Sequence, residues 1–170
     1  DYELIQSWDA LVYHFTSRGS RYNKFAGGDT GKDSPEWQET NSKNMRNFIR
    51  KWGTNVQHDR YMMPIVSPKY DIGFVVHRIH NYQILYELEP WCSVIYGKCP
   101  KEMPAMYIRD EQSNTSIDLT SRVQNYDNEK NNDILVEFDA THLTWENFQF
   151  ITQLPHMLMD SGEIGEMEFD

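Results

Sequence analysis

Cysteine is scarce in this chain: Cys92 and Cys99 are the only two in 170 residues. Two thiols exclude a disulfide-stapled scaffold. With no basic-then-apolar leader at the start, they are expected to be free in a reducing, cytoplasmic setting. A zinc site would need two further ligands, and the nearest histidines, His77 and His80, complete no recognised zinc spacing. Long hydrophobic runs are also missing. No stretch approaches the roughly 18 apolar residues of a transmembrane helix, so no membrane span is expected. Basic charge is in deficit, with 16 Lys and Arg against 26 Asp and Glu and a net charge of -10. That balance argues against a general nucleic-acid binder. Neither a G-x-G-x-x-G loop, a P-loop, an H-E-x-x-H helix nor a nucleophile elbow occurs, and no internal repeat or low-complexity tract does either.

What is present can build a core. Aromatics make up 14% of the chain, with 5 Trp and 10 Tyr, and such side chains bury large areas. The acid excess is unevenly placed. Residues 18–60 hold nine basic and five acidic residues, whereas residues 61–170 hold seven basic and eighteen acidic. The middle of the chain is therefore a segment suited to anions on an otherwise acidic protein, or else a solvated basic face.

Periodicity and punctuation organise the rest. Leu4 to Phe15 is apolar and β-prone and reads as a buried strand, followed by a Gly- and Asn-rich loop over 16–34. Ser34-Pro35-Glu36 opens a helix by cap, first-turn proline and dipole. Trp37, Asn41, Met45, Phe48 and Trp52 then share one face, Arg46, Arg50 and Lys51 lie on others, and Gly53 closes the helix. Residues 54–70 read as a connector. A buried strand is expected over 71–76, a short helix over 82–89 stopped by Pro90, and strands over 92–96 and 133–138. Residues 100–132 show no clear pattern beyond a candidate strand over 116–123. Thr144 caps a last helix, which Pro155 should kink or end early. A final strand is expected over 163–170.

The segment richest in chemistry runs from Ser7 to Arg21. A buried strand delivers His14 at its polar end, and a Gly-containing loop with Arg18 and Arg21 follows at once. Imidazole suits Mn²⁺ or Zn²⁺, and guanidinium forks match phosphate, so the three together could hold a metal-bound diphosphate. A strand-end histidine and two solvated arginines are the ordinary structural account of the same residues. His77-Arg78-Ile79-His80 gives two ligands where a metal needs more. Glu137-Phe138-Asp139 reads as a strand end, and Tyr82, Tyr86, Trp91 and Tyr96 stand at spacings more typical of a core than of a sugar platform.

This segment resembles the end of the catalytic domain of family 2 glycosyltransferases with the GT-A fold. Asp9-Ala10 and His14 stand where that family closes its nucleotide-sugar domain with a strand ending in histidine. Asn47-Phe48-Ile49-Arg50-Lys51-Trp52-Gly53 looks like the F-x-x-K-W-G element that follows, so the resemblance covers about residues 2–53. It implies that His14 ligates a divalent metal, Mn or Mg, in the complete enzyme, and that Arg18 and Arg21 hold the diphosphate of a nucleotide-sugar donor whose sugar passes to a glycan acceptor. The family's D-x-D motif and catalytic base are not found, and no Asp-x-Asp occurs anywhere in the chain. The chain is thus expected to be the C-terminal portion of a larger enzyme, inactive alone. The expected class is α+β. Residues 1–60 form a partial GT-A end segment of strand, loop and helix, 61–70 a connector, and 71–170 a small α/β sandwich with a ferredoxin-like arrangement as one option. The alternative is a non-catalytic α+β module for interaction or homo-oligomerisation through the first strand.

Overall fold

The computed structural model describes residues 35–161. The strands expected at 4–15 and 163–170 lie outside them. Helices and strands are combined as the α+β expectation requires, and residues from Lys43 onward form one compact unit.

Helix α1 spans Pro35–Trp52. It ends at Gly53, whose φ of +79° is a left-handed conformation that costs other residues energy. The Gly53 amide donates to the Ile49 carbonyl at 2.6 Å, closing the last turn. The connector expected over 54–70 contains a small antiparallel hairpin, β1 (Gln57–His58) with β2 (Pro64–Ile65). Its turn is held by Asp59, whose carboxylate accepts from the Tyr61 and Met63 amides at 2.8 and 2.9 Å.

Strand β3 (Ile72–His77) is buried along almost its whole length, as an apolar, β-branched run predicts. Next comes α2 (Gln83–Leu88), ended by a 3-10 turn over Glu89–Trp91 in which Pro90 finds a tolerated place. Strand β4 (Val94–Gly97), α3 (Glu102–Glu111) and β5 (Val123–Asn125) follow. Then come β6 (Ile134–Asp139) and α4 (Trp145–Ser161). Thr144 caps α4 as expected: its hydroxyl accepts from the Asn147 amide while Asn147 Oδ1 accepts from the Thr144 amide. Pro155 does not end α4, which runs on to Ser161.

The four long strands form one parallel sheet in the order β5-β4-β3-β6. A ferredoxin-like sandwich would have an antiparallel sheet, so that finer arrangement is not the one present. Two helical crossovers step the chain outward from β3 to β4 to β5, and the chain then returns past β3 to lay down β6. This is the order of half a doubly wound sheet. Ile72, Phe74, Val76 and Ile95 share one core with Leu85 and Leu88 of α2, Met103 and Tyr107 of α3, and Ile151 and Leu154 of α4. Each such side chain contributes roughly 1.5–3 kcal/mol on burial.

The returning segment, residues 126–133, covers part of the opposite face. The Tyr96 hydroxyl donates to Asn132 Oδ1 at 2.8 Å, and Asn132 Nδ2 donates to Asp71 at 2.7 Å. Close approach demands a glycine beneath it: a Cβ on Gly73 would lie 2.4 Å from Asn132 Oδ1.

The strongest polar feature joins α1 to both crossovers. Arg50 is 0% exposed, as are Glu89 and Glu111. Arg50 Nε donates to Glu89 at 2.8 Å and Nη2 to Glu111 at 2.7 Å. Arg46 grips Glu111 through two 2.8 Å bonds. Arg122 pairs with Glu89, and the Tyr107 hydroxyl donates to the same carboxylate at 2.7 Å. Arg46 and Arg50 are therefore engaged inside the protein, Arg50 with no exposed side chain and Arg46 with 20% of its side chain exposed. Burial alone would lower the Arg50 pKa, but Glu89 and Glu111 raise it above its ordinary value. Arg50→Met should cost about 3–5 kcal/mol in urea unfolding, because two buried carboxylates lose a partner.

Glu111 generates a second expectation. Burial pushes its carboxyl up, but hydrogen bonds from Arg46, Arg50 and Asn114 outweigh this and hold it below its ordinary value of 4.5. A depressed folded value means that Glu111 contributes stability in full above that pH and loses it as the pH falls toward the folded value. The fall in urea midpoint between about pH 6 and about pH 3 should be smaller in Glu111→Gln than in the parent chain.

Candidate functional site

His14, Arg18 and Arg21 lie outside the described residues. The neighbouring element that shares their resemblance, Asn47–Gly53, is described in full as the end of α1. Its residues divide their work. Ile49 and Arg50 point into the protein, and Phe48 and Trp52 pack together with ring centroids 6.3 Å apart. Asn47 and Lys51 line an open groove of about 600 Å³.

The far wall of that groove is the chain after α3: Ser113, Asn114, Thr115 and Ser116. This wall is braced rather than loose. Gln112 Nε2 donates to the Ile117 carbonyl at 2.8 Å, and Gln112 Oε1 accepts from the Leu119 amide at 2.9 Å. Asn47 ties the two walls together, donating through Nδ2 to the Asn114 carbonyl at 2.8 Å. Its Oδ1 accepts from Arg50 Nη1 at 3.0 Å, so the buried arginine also orients the amide in the groove. The Lys51 ammonium stands over the Trp52 ring, 4.8 Å from its centroid. Ile117 adds an apolar side chain to the lining, which otherwise offers hydroxyls, amides and one cation, a set able to hydrogen-bond polyhydroxylated or anionic groups.

A second polar centre sits where the strand order reverses, at the carboxyl ends of β3 and β6, the usual ligand position of doubly wound sheets. His77 Nε2 is 2.6 Å from Glu137 Oε1, and its ring lies 5.0 Å from that of Tyr126. Arg78, at a positive φ of 52°, pairs with Asp139. Asp139 also accepts from the Thr141 amide and hydroxyl at 2.8 and 2.6 Å. The Glu137-Phe138-Asp139 strand end is therefore a partner for the His77-Arg78 turn, a pairing that only the parallel register of β3 and β6 creates. His80 faces the Arg78 carbonyl at 3.4 Å instead of joining His77 at a shared ligand. Among the described residues no group of three or more His, Cys, Asp or Glu side chains is arranged to hold a metal.

The aromatic candidates serve as packing. Trp91 and Tyr96 are buried, and Tyr86 meets Tyr107 edge-on at 4.9 Å. Both cysteines are free thiols. Burial pushes Cys92 well above the ordinary thiol range and Cys99 upward as well, so neither is an activated nucleophile. No described helix is long and apolar enough to cross a membrane.

No protein-family model matches the chain, and no curated protein or solved structure matches it.

The strand-end cluster makes a direct expectation. The Arg78 guanidinium, aided by Thr141, holds the Asp139 carboxyl well below its ordinary value of 3.8. Carboxyl-detected NMR should find Asp139 still ionised well below pH 3.8. In Arg78→Ala its titration should move up toward that ordinary value, and an unmoved titration would show that Arg78 is not its partner.

Proposed function

We propose that this chain is the C-terminal part of a family 2 glycosyltransferase of the GT-A type, moving a sugar from a nucleotide-sugar donor to a glycan acceptor and completed by residues it does not itself carry. The observation that supports this reading best is the groove beside α1. The same Asn47–Gly53 element that resembles the family supplies Asn47 and Lys51 to a cleft walled by Ser and Asn side chains, a lining that suits sugar hydroxyls. The unit around the parallel sheet is then an accessory domain braced against that element through Arg50.

In this reading His14 contributes a ligand to a divalent metal, Mn or Mg, which would offset charge on the departing diphosphate. Arg18 and Arg21 would grip the same diphosphate bidentately, stabilising negative charge as the sugar–phosphate bond lengthens. Lys51 and Asn47 would orient the acceptor and take no part in bond breaking. Free thiols at Cys92 and Cys99 accord with action in the cytoplasm.

Calorimetric titration of the full chain with Mn²⁺ and a nucleoside diphosphate tests the assignment. Weak saturable binding is expected, falling by roughly tenfold or more in the His14→Ala, Arg18→Ala double variant, because charge-assisted contacts are lost. Binding that survives the double substitution undiminished, or no binding by the parent chain, overturns the site.

A further inference from the structure

The groove beside α1 also carries a sign of charge. Asn47 and Lys51 form one wall and residues 113–117 the other. None of them is acidic, in a chain whose net charge is -10. Lys51 is exposed, and none of the ion pairs among the described residues uses it. Its ammonium rests on the Trp52 ring, at the end of a flexible stem that can swing it into the groove. Asp118, the acid that follows the far wall, is turned to Thr120, accepting from its amide at 2.9 Å and its hydroxyl at 2.7 Å.

The interior behind the groove has the same sign. Arg46, Arg50 and Arg122 share only two carboxylates, Glu89 and Glu111, so one positive charge is left over. Lys69 adds another, its ammonium donating to the Arg50 carbonyl. The carbonyl end of α1 offsets only about half a charge. A buried excess is screened by salt much less than a surface one. The groove meets it through Asn47, which accepts from Arg50 and donates to the Asn114 carbonyl. Together with Lys51, these groups place the cleft in a positive local potential on an acidic protein. A neutral sugar would use the amides and hydroxyls and leave that potential unused. A bare anion would use Lys51 and leave most of a groove of about 600 Å³ unfilled. A sugar ring with a negatively charged substituent meets both conditions.

We propose that this groove binds an acidic saccharide, its anionic substituent at Lys51 and its ring hydroxyls against Asn47, Ser113 and Ser116. The inference rests on the glycosyltransferase reading for the saccharide alone, and there it makes the acceptor an acidic glycan. The charge is argued from the groove and the network behind it.

The test compares methyl β-glucuronide with methyl β-glucoside, which differ only in the carboxylate at C6, by NMR chemical-shift titration of the full chain. The signals followed are the Asn47 and Asn114 side-chain amides and the Ser116 backbone amide. The glucuronide should bind roughly fivefold more tightly, the upper worth of one exposed ion pair, and more tightly than acetate, which has the charge without the ring. About 1 M NaCl should erase the preference, because screening then acts within about 3 Å. Lys51→Met should also erase it while glucoside binding is unchanged, and Lys98→Met, at an exposed lysine outside the groove, should leave it intact. Equal affinities in the parent chain, a preference that persists in Lys51→Met or is lost in Lys98→Met, or no saturable shift at the groove from either sugar overturns the proposal. A parallel titration with Mn²⁺ and a nucleoside diphosphate separates the two readings. Diphosphate binding without a glucuronide preference overturns this inference and spares the donor assignment; a glucuronide preference without diphosphate binding supports this inference and removes the donor assignment.

Discussion

Arg50 is the residue on which the described unit depends. A guanidinium at 0% exposure is tolerable only when its charge and its donors are all answered. Glu89, Glu111, Tyr107 and Asn47 supply the answers from three different parts of the chain. Each carboxylate is in turn shared with a second arginine nearer the surface, Arg122 for Glu89 and Arg46 for Glu111. Three cations and two anions thus alternate, and no ion in the set lacks an opposite neighbour. Such a network adds less net stability than an apolar core of equal volume. What it imposes is selectivity: α1, the turn after α2 and the end of α3 fit together in one way only, because any slip leaves a charge buried alone.

The network also gives the groove its definition. Asn47 is held by Arg50 on one side and by the Asn114 carbonyl on the other. The polar lining is therefore positioned by the same contacts that close the core. A surface built this way presents hydroxyls and amides at fixed places, which favours recognition of a rigid polar ligand over an adaptable one.

Much of the fold was legible where local signals were strong. The β-branched run of β3, the cap at Thr144 and the glycine at position 53 each belong to a pattern that a few residues can carry. Helix α3 was not legible, because Pro104 and the polar residues around it suggest a loop. Yet proline is tolerated in a first turn, and Met103, Tyr107 and Glu111 recur at helical spacing on its buried face. The hairpin carries little sequence signal because its strands are two residues long; Asp59 is its one sign. Arg50 could not be placed inward from sequence, since a helical wheel assigns charge to solvent and only the distant Glu89 and Glu111 reverse that. The strand-end cluster at His77 was equally hidden, because parallel register joins residues sixty positions apart. His14, Arg18 and Arg21 fall outside the described residues, so the resemblance they carry stands on sequence alone.

The buried salt-bridge network has a consequence for how this chain can be divided. The sequence invites a cut near residue 60, between a segment that resembles part of a glycosyltransferase and a sheet-bearing unit. Such a cut would strip Glu89 and Glu111 of Arg46 and Arg50 and leave two desolvated anions facing one remaining arginine. The last turns of α1 are thus common property: they carry the family-like element on one side and neutralise the accessory unit on the other. An evolutionary exchange of the sheet-bearing unit between chains would have to carry residues 43–53 along with it, so the boundary of the compact unit falls within a helix and not in the loop that follows.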